Sequence, residues 1–239
     1  MSSLSIGQPM TTTVSCMRTN KLNTALALVL GLLITGCSGK NNYGAKLPYD
    51  AWRLGFFAPN YMEVWIETAD AVDINDRWFK RAMSGVSSVS NPPNLKGNPK
   101  GWPKRPGDGK GKYVYGADLP RFIYVRWQSL AEPLTYQAYI EIPQATREVM
   151  LKGERAFCSG RNKWITGYRK AITIGLAPGG IAKTWVHGGC LDPIEVSRVQ
   201  GKVVKTGPFE GYSDGKYYRA PKPTAQAYID KFGIPYDSW

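Results

Sequence analysis

Arg121-Phe122-Ile123-Tyr124-Val125-Arg126-Trp127-Gln128 and Leu134-Thr135-Tyr136-Gln137-Ala138-Tyr139-Ile140-Glu141-Ile142 are joined by the short link Ser129-Leu130-Ala131-Glu132-Pro133. The first run is dense in aromatic and β-branched side chains and reads as a buried strand. In the second, Leu134, Tyr136, Ala138, Ile140 and Ile142 fall on one face, the period-2 pattern of a strand with one side buried. The brief connection predicts an antiparallel pair. This pair sets the fold class, because flanking segments repeat the pattern.

Downstream, Pro143 suits the first turn of a helix, where its missing N–H is not needed, and the pattern through Thr146, Val149 and Met150 predicts a short helix ending near Gly153. Residues 163–176 read as one strand, with Ile172, Ile174 and Leu176 on a shared face. Ala177-Pro178-Gly179-Gly180 is a turn signal, and residues 181–187 are the expected hairpin partner. Residues 195–206 suggest a further hairpin about Gly201, and residues 224–232 a second short helix between Pro223 and Gly233. Upstream, residues 52–58 form an apolar run closed by Pro59-Asn60. Residues 61–72 read as a strand with Met62, Val64 and Ile66 on one face and Glu63 and Glu67 on the other. Residues 84–112 show no periodicity, and no internal repeat is visible. The expectation is one α+β domain over residues 47–239, rich in antiparallel sheet, with two short helices.

The aperiodic segment is the most unusual part of the domain. Between residues 91 and 112 lie Lys96, Lys100, Lys104, Arg105, Lys110 and Lys112 against a single acid, Asp108, on a Gly/Pro-rich frame with Trp102 in its middle. A long loop within a domain is usually either functional or disordered. The first reading makes these six cations and Trp102 a partner-binding surface, since aromatic and Arg side chains dominate interface energies. The second makes the segment a solvated insertion. The whole chain of 239 residues carries a formal charge of +13, which favours anionic partners such as acidic proteins, phospholipid headgroups or polysaccharide.

The chain's beginning accounts for its location. Residues 22–33 are uncharged and apolar, too short for the roughly 20 residues of a membrane span. They follow Arg18 and Lys21 and lead to Ile34-Thr35-Gly36-Cys37. A basic n-region, an apolar stretch and small residues before a cysteine read as a lipoprotein signal over residues 1–36, with Cys37 taking the lipid and residues 37–46 serving as a tether. The first sixteen residues are too polar for such a signal, so Met17, or Met10, is the expected translation start. Two net positive charges leave with Arg18 and Lys21, so the mature chain carries +11. An envelope protein of this kind meets little nucleic acid, and none is expected as a partner.

Of the four cysteines, Cys16 precedes the expected start and Cys37 is the acylation site. Cys158 and Cys190 remain, and an even pair in an oxidising compartment points to a disulfide. The alternative is a metal held by these two thiolates and His187, at a spacing unlike the common C-x-x-C arrangements. His187 is the chain's one histidine, so any nucleophile–base chemistry has to pass through it. No Gly-x-Ser-x-Gly elbow is present to offer a serine. Gly175-Leu176-Ala177-Pro178-Gly179-Gly180 lacks the Lys-Ser/Thr of a phosphate-binding loop and reads as a tight turn. No enzyme activity, cofactor or metal is expected.

Leu119-Pro120, Trp127-Gln128-Ser129-Leu130-Ala131-Glu132, Tyr136 and the Leu176-Ala177-Pro178-Gly179-Gly180 turn before Trp185 resemble, in order and spacing, a bacterial lipoprotein family, domain of unknown function 2931. The resemblance runs over about residues 47–187 and leaves out the basic loop and the tail after Leu191. It implies a lipoprotein of the kind encoded beside type VI secretion lipase effectors, acting as an immunity protein that binds and neutralises the lipase. Ser38 behind Cys37, in place of Asp, resembles the pattern sorted to the outer membrane, on its periplasmic side. The alternative function is an envelope module that binds anionic lipid or wall polymer.

Overall fold

In the computed structural model, residues 47–239 are described; the signal, Cys37, the tether and the start-site expectation lie outside them. Two five-stranded sheets pack face to face. One has the order β11-β10-β9-β1-β4, built from Leu191–Gln200, Ile181–Gly188, Ala171–Ala177, Ala51–Phe57 and Lys110–Tyr115. The other has the order β12-β6-β5-β2-β3, from Lys202–Val203, Leu134–Glu141, Pro120–Ser129, Val64–Asp73 and Trp78–Val86. A separate hairpin pairs β7 (Glu154–Cys158) with β8 (Lys163–Gly167). The helices are α1 (Gln144–Leu151), entered from Pro143, and α2 (Pro223–Phe232). The domain is therefore a mostly antiparallel sandwich with two short helices.

Alternation explains the core between the sheets. Trp52, Leu54 and Phe56 of β1 and Ile172, Ile174 and Leu176 of β9 face Ile123, Val125 and Trp127 of β5 and Tyr136, Ala138 and Ile140 of β6, all buried. The β5–β6 and β9–β10 hairpins have the expected antiparallel register. In β2 the alternation breaks: a bulge around Glu67–Thr68 shifts the phase, so that Ala69 and Ala71 take over the inward face from Val64 and Ile66.

Four expectations need correction. Residues 163–176 are two strands, β8 and β9, interrupted at Tyr168-Arg169-Lys170. No hairpin turns at Gly201: β11 pairs with β10, whereas β12 pairs with β6, so the chain crosses there from one sheet to the other. A Cβ at Gly201 would stand 2.6 Å from the Trp127 ring, so the crossing needs glycine. The aperiodic region contains the end of β3 and the start of β4, both edge strands. Finally, β1 pairs in parallel with β9, a contact between distant segments that local pattern cannot reveal.

Cys158 and Cys190 form a disulfide that ties the end of β7 to the turn between β10 and β11, across 32 residues of sequence. The sulfurs are bonded to each other and His187 turns to Thr173, so the three do not form a metal site. Replacing both cysteines with serine is expected to cost about 3–4 kcal/mol through the freed unfolded chain, a fall of roughly 6–16 °C in Tm. Thermal denaturation checks this, and an unchanged midpoint contradicts it.

Candidate partner-binding surface

The outward face of the first sheet carries Arg53, Gly55 and Phe57 on β1, Thr173 and Gly175 on β9, and Lys183, Trp185 and His187 on β10. The basic segment lies across this face as a strap. Two glycines make room for it. A Cβ on Gly55 would overlap the carbonyl oxygen of Asp108, and one on Gly175 would overlap the Trp102 ring. The strap is pinned at several points. Trp102 packs edge-on against Phe57 and Trp185, both at 5.5 Å between ring centroids. The Arg53 guanidinium donates to the carbonyls of Asp108 and Gly109. The Tyr61 hydroxyl donates to the Pro92 carbonyl (2.9 Å) and accepts from the Gly97 amide (2.7 Å). The buried Trp239 indole donates to the Pro99 carbonyl at 2.8 Å.

These contacts place the seven candidate residues in two groups. Trp102 packs inward and anchors the strap to its own domain. Lys96, Lys100, Lys104 and Arg105 are exposed on the strap, and Lys110 and Lys112 are exposed on the edge strand β4. Arg105 is paired with Asp192 at the start of β11. Among the described residues the five lysines pair with no carboxylate. The charges therefore stand on backbone held in place, which reduces the ordering cost of engaging an anionic surface. Between strap and β1 lies a cleft of about 400 Å³ with Trp102 and Lys100 in its wall. The buried Trp102 Nε1–H has no hydrogen-bond partner among the described residues.

His187 is buried beneath the strap, its Nε2 2.7 Å from Thr173 Oγ1 and its Nδ1 3.7 Å from Asp108 Oδ1. Burial lowers its pKa; Asp108 opposes the shift and Arg53 adds to it. Hydroxyl, imidazole and carboxylate lie in the order of a nucleophile–base–acid relay. However, Thr173 is completely buried, so a substrate cannot reach its hydroxyl in this arrangement. The imidazole packs beneath the strap. Among the described residues no cluster of three or more His, Cys, Asp or Glu is placed to hold a metal.

A second strap went unread in the sequence. Residues 204–222 cross the outward face of the other sheet, where Glu67, Arg126 and Gln128 look like solvated positions. Instead, Arg126 and Glu67 form a buried ion pair at 2.7 Å. The Phe209 amide donates to Glu67 (2.7 Å), the Tyr218 amide donates to the Gln128 side-chain carbonyl (2.7 Å), and Tyr218 stacks on Trp65. The two straps meet at Glu63, which is 1% exposed. Its carboxylate accepts from Asn91 (3.1 Å) on the first strap and from Arg219 (2.9 Å) and the Lys222 amide (2.7 Å) on the second. Burial by itself would raise its pKa, but these donors and the Arg219 charge outweigh it and hold the carboxyl below the usual range.

Comparison with known proteins places this architecture in a family. The profile described as "Protein of unknown function (DUF2931)" matches residues 38–237, and the chain belongs to that family. The match extends beyond residues 47–187 at both ends and takes in the basic strap and nearly all of the tail. No curated protein and no solved structure matches the chain.

Proposed function

We propose, on the premise of that membership, that this chain is a lipid-anchored, periplasm-facing binding protein of the outer membrane, and that it neutralises a secreted lipase by contact rather than by turnover. The observation that carries the proposal is the strap and the edge strand it leads into: five exposed lysines without carboxylate partners among the described residues, Lys96, Lys100 and Lys104 on backbone fixed through Trp102, Tyr61 and Trp239, and Lys110 and Lys112 on β4. Complementary charge speeds the encounter with an acidic surface and rejects basic ones, and a pre-formed strap keeps the complex from being spent on ordering a loop. The leader and Cys37 support the location, since a blocker must wait where the toxin arrives.

Co-expression tests the proposal. A periplasm-directed form of the neighbouring gene's product, which the proposal takes to be the lipase, is expected to arrest growth alone and to be tolerated when this chain is expressed with it. Persistent arrest, with both proteins present in the periplasm, contradicts the proposal.

A further inference from the structure

The β7–β8 hairpin stands outside both sheets and buries little of itself. Phe157 and Trp164 are direct register partners, so their side chains share one face; the rings meet edge-on at 5.8 Å. Both remain open to solvent, at 49% and 60% exposure. The Arg155 guanidinium lies 5.1 Å over the Trp164 ring, and Arg161 and Lys163 are exposed at the tip. Residues 155–166 contain no acid. Glu154, at the base, is engaged by Arg169.

A free two-stranded ribbon is marginally stable in water. Here the Cys158–Cys190 disulfide staples it to the sandwich, so two large rings are held out in solvent at fixed positions. Within the fold this costs apolar exposure and gains no core, which points to a surface outside the chain.

The position of the hairpin suggests which surface. Tyr49, near the first described residue, packs on Tyr168 at the foot of β8 (5.6 Å between centroids), and its hydroxyl donates to the Met150 carbonyl at 3.3 Å. The chain therefore enters the domain beside the hairpin. Cys37 precedes Leu47 by ten positions, a reach of at most about 35 Å. An acyl group at Cys37 would hold the hairpin close to the bilayer. Indole rings favour the membrane interface, phenylalanine joins tryptophan on the apolar face of interfacial segments, and adjacent Lys and Arg side chains are drawn to anionic headgroups. We infer that the Phe157/Trp164 hairpin docks on an anionic lipid surface, with the rings at the acyl boundary and Arg155, Arg161 and Lys163 at the phosphates. The inference rests on acylation at Cys37 for its geometry, but its chemistry is the hairpin's own.

Bromolipid quenching tests it on the full chain reconstituted into vesicles of phosphatidylethanolamine and phosphatidylglycerol. Brominated acyl chains are expected to remove up to about one tryptophan's share of the emission from the eight present. The loss should vanish in Trp164→Phe, which keeps an apolar ring. It should also vanish in the combined Arg155→Glu, Arg161→Glu, Lys163→Glu variant, and shrink when phosphatidylglycerol is replaced by phosphatidylcholine. Equal quenching in wild type and Trp164→Phe would overturn the inference. So would a Trp164 silent to bromolipid that responds only to an added protein. The mass of the N-terminal peptide from the same sample separates the premises: acylated chain without quenching sinks the docking alone, and quenching without acylation sinks the anchor alone.

Discussion

Glu63→Ala is expected to lower stability by about 3 kcal/mol, toward the lower end of the 3–5 kcal/mol typical when one partner of a buried pair is removed. The lower end applies because Arg219 is 30% exposed and can recover some hydration. The loss is still large, because one carboxylate satisfies donors from both straps. Without it the Asn91 side chain and the Lys222 amide lose an acceptor each. Both straps should loosen together. Urea denaturation measures the loss, and a tryptic digest should find new cleavage both near Lys96 and near Lys216. Glu63→Gln keeps the shape and one acceptor, and should cost less.

The same carboxylate makes stability pH-dependent, with a definite sign. Its folded pKa is depressed, so the unfolded chain takes up the proton first. The contribution is full above the ordinary carboxylate value and is lost as pH falls through the lower folded value. Asp73, completely buried, behaves alike: burial would raise its pKa, but Arg77 and the amides of Arg77, Asn75 and Asp118 hold it down. His187 adds in the same direction at higher pH, because its folded pKa is lowered and the unfolded imidazole protonates first, below about 6.5. Urea midpoints should therefore fall in two stages on acidification, and Glu63→Gln should flatten the lower one.

Gly175→Val is expected to release the first strap at a cost of roughly 2–4 kcal/mol, most of the penalty for losing a packed Trp. Valine is a better strand residue than glycine, and Gly175 sits in ordinary extended backbone in the middle of β9. Local propensity therefore predicts a gain. The loss arises only because a Cβ here enters the Trp102 ring and comes within 3.0 Å of Phe57. The expected signs are a red-shifted tryptophan emission and rapid tryptic cleavage at Lys100 and Lys104. Trp102→Ala should do the same, and the double variant should cost less than the sum, since both remove one contact. Full additivity with an undisturbed strap contradicts the arrangement.

What the sequence disclosed follows from which residues face water. The β5–β6 and β9–β10 hairpins were legible because β5 is dense in aromatic and β-branched residues, β6 and β9 carry apolar residues at every second position, and a short link or turn signal follows β5 and β9. Helix α1 was legible from Pro143, and α2 from its bracketing Pro223 and Gly233. Strand β3 was not, because Lys80 and Arg81 interrupt it and Arg81 takes a positive φ of 52°. Strand β4 was not, because Lys110-Gly111-Lys112 reads as loop when an edge strand has solvent on one side. The β7–β8 hairpin alternates only between exposed and half-buried positions, such as Ala156 and Ile165, up to the buried Cys158, so its period is faint.

The straps were harder for a different reason. Gly55 and Gly175 look like weak points in strands, but each marks the close approach of another backbone or ring. Glu67, Arg126 and Gln128 occupy the outward positions of their strands, and Glu63 directly precedes β2 on the polar side of the expected alternation, where water is predicted. They are covered by a segment far away in sequence, and nothing local records that. Trp102 was legible as an anchor, but the partner it anchors to is its own sheet.

On the proposed function, the fixed lysines of the first strap make the contact with a lipase. The most direct test is to titrate the neighbouring gene's product, the lipase of the proposal, with wild-type protein and with the Lys96→Glu, Lys100→Glu, Lys104→Glu variant, at low and high salt. Wild-type inhibition is expected to set in quickly and to slow with salt, and the variant to associate at least roughly tenfold more slowly with unchanged urea stability. Equal association rates for the two, independent of salt, would contradict the account.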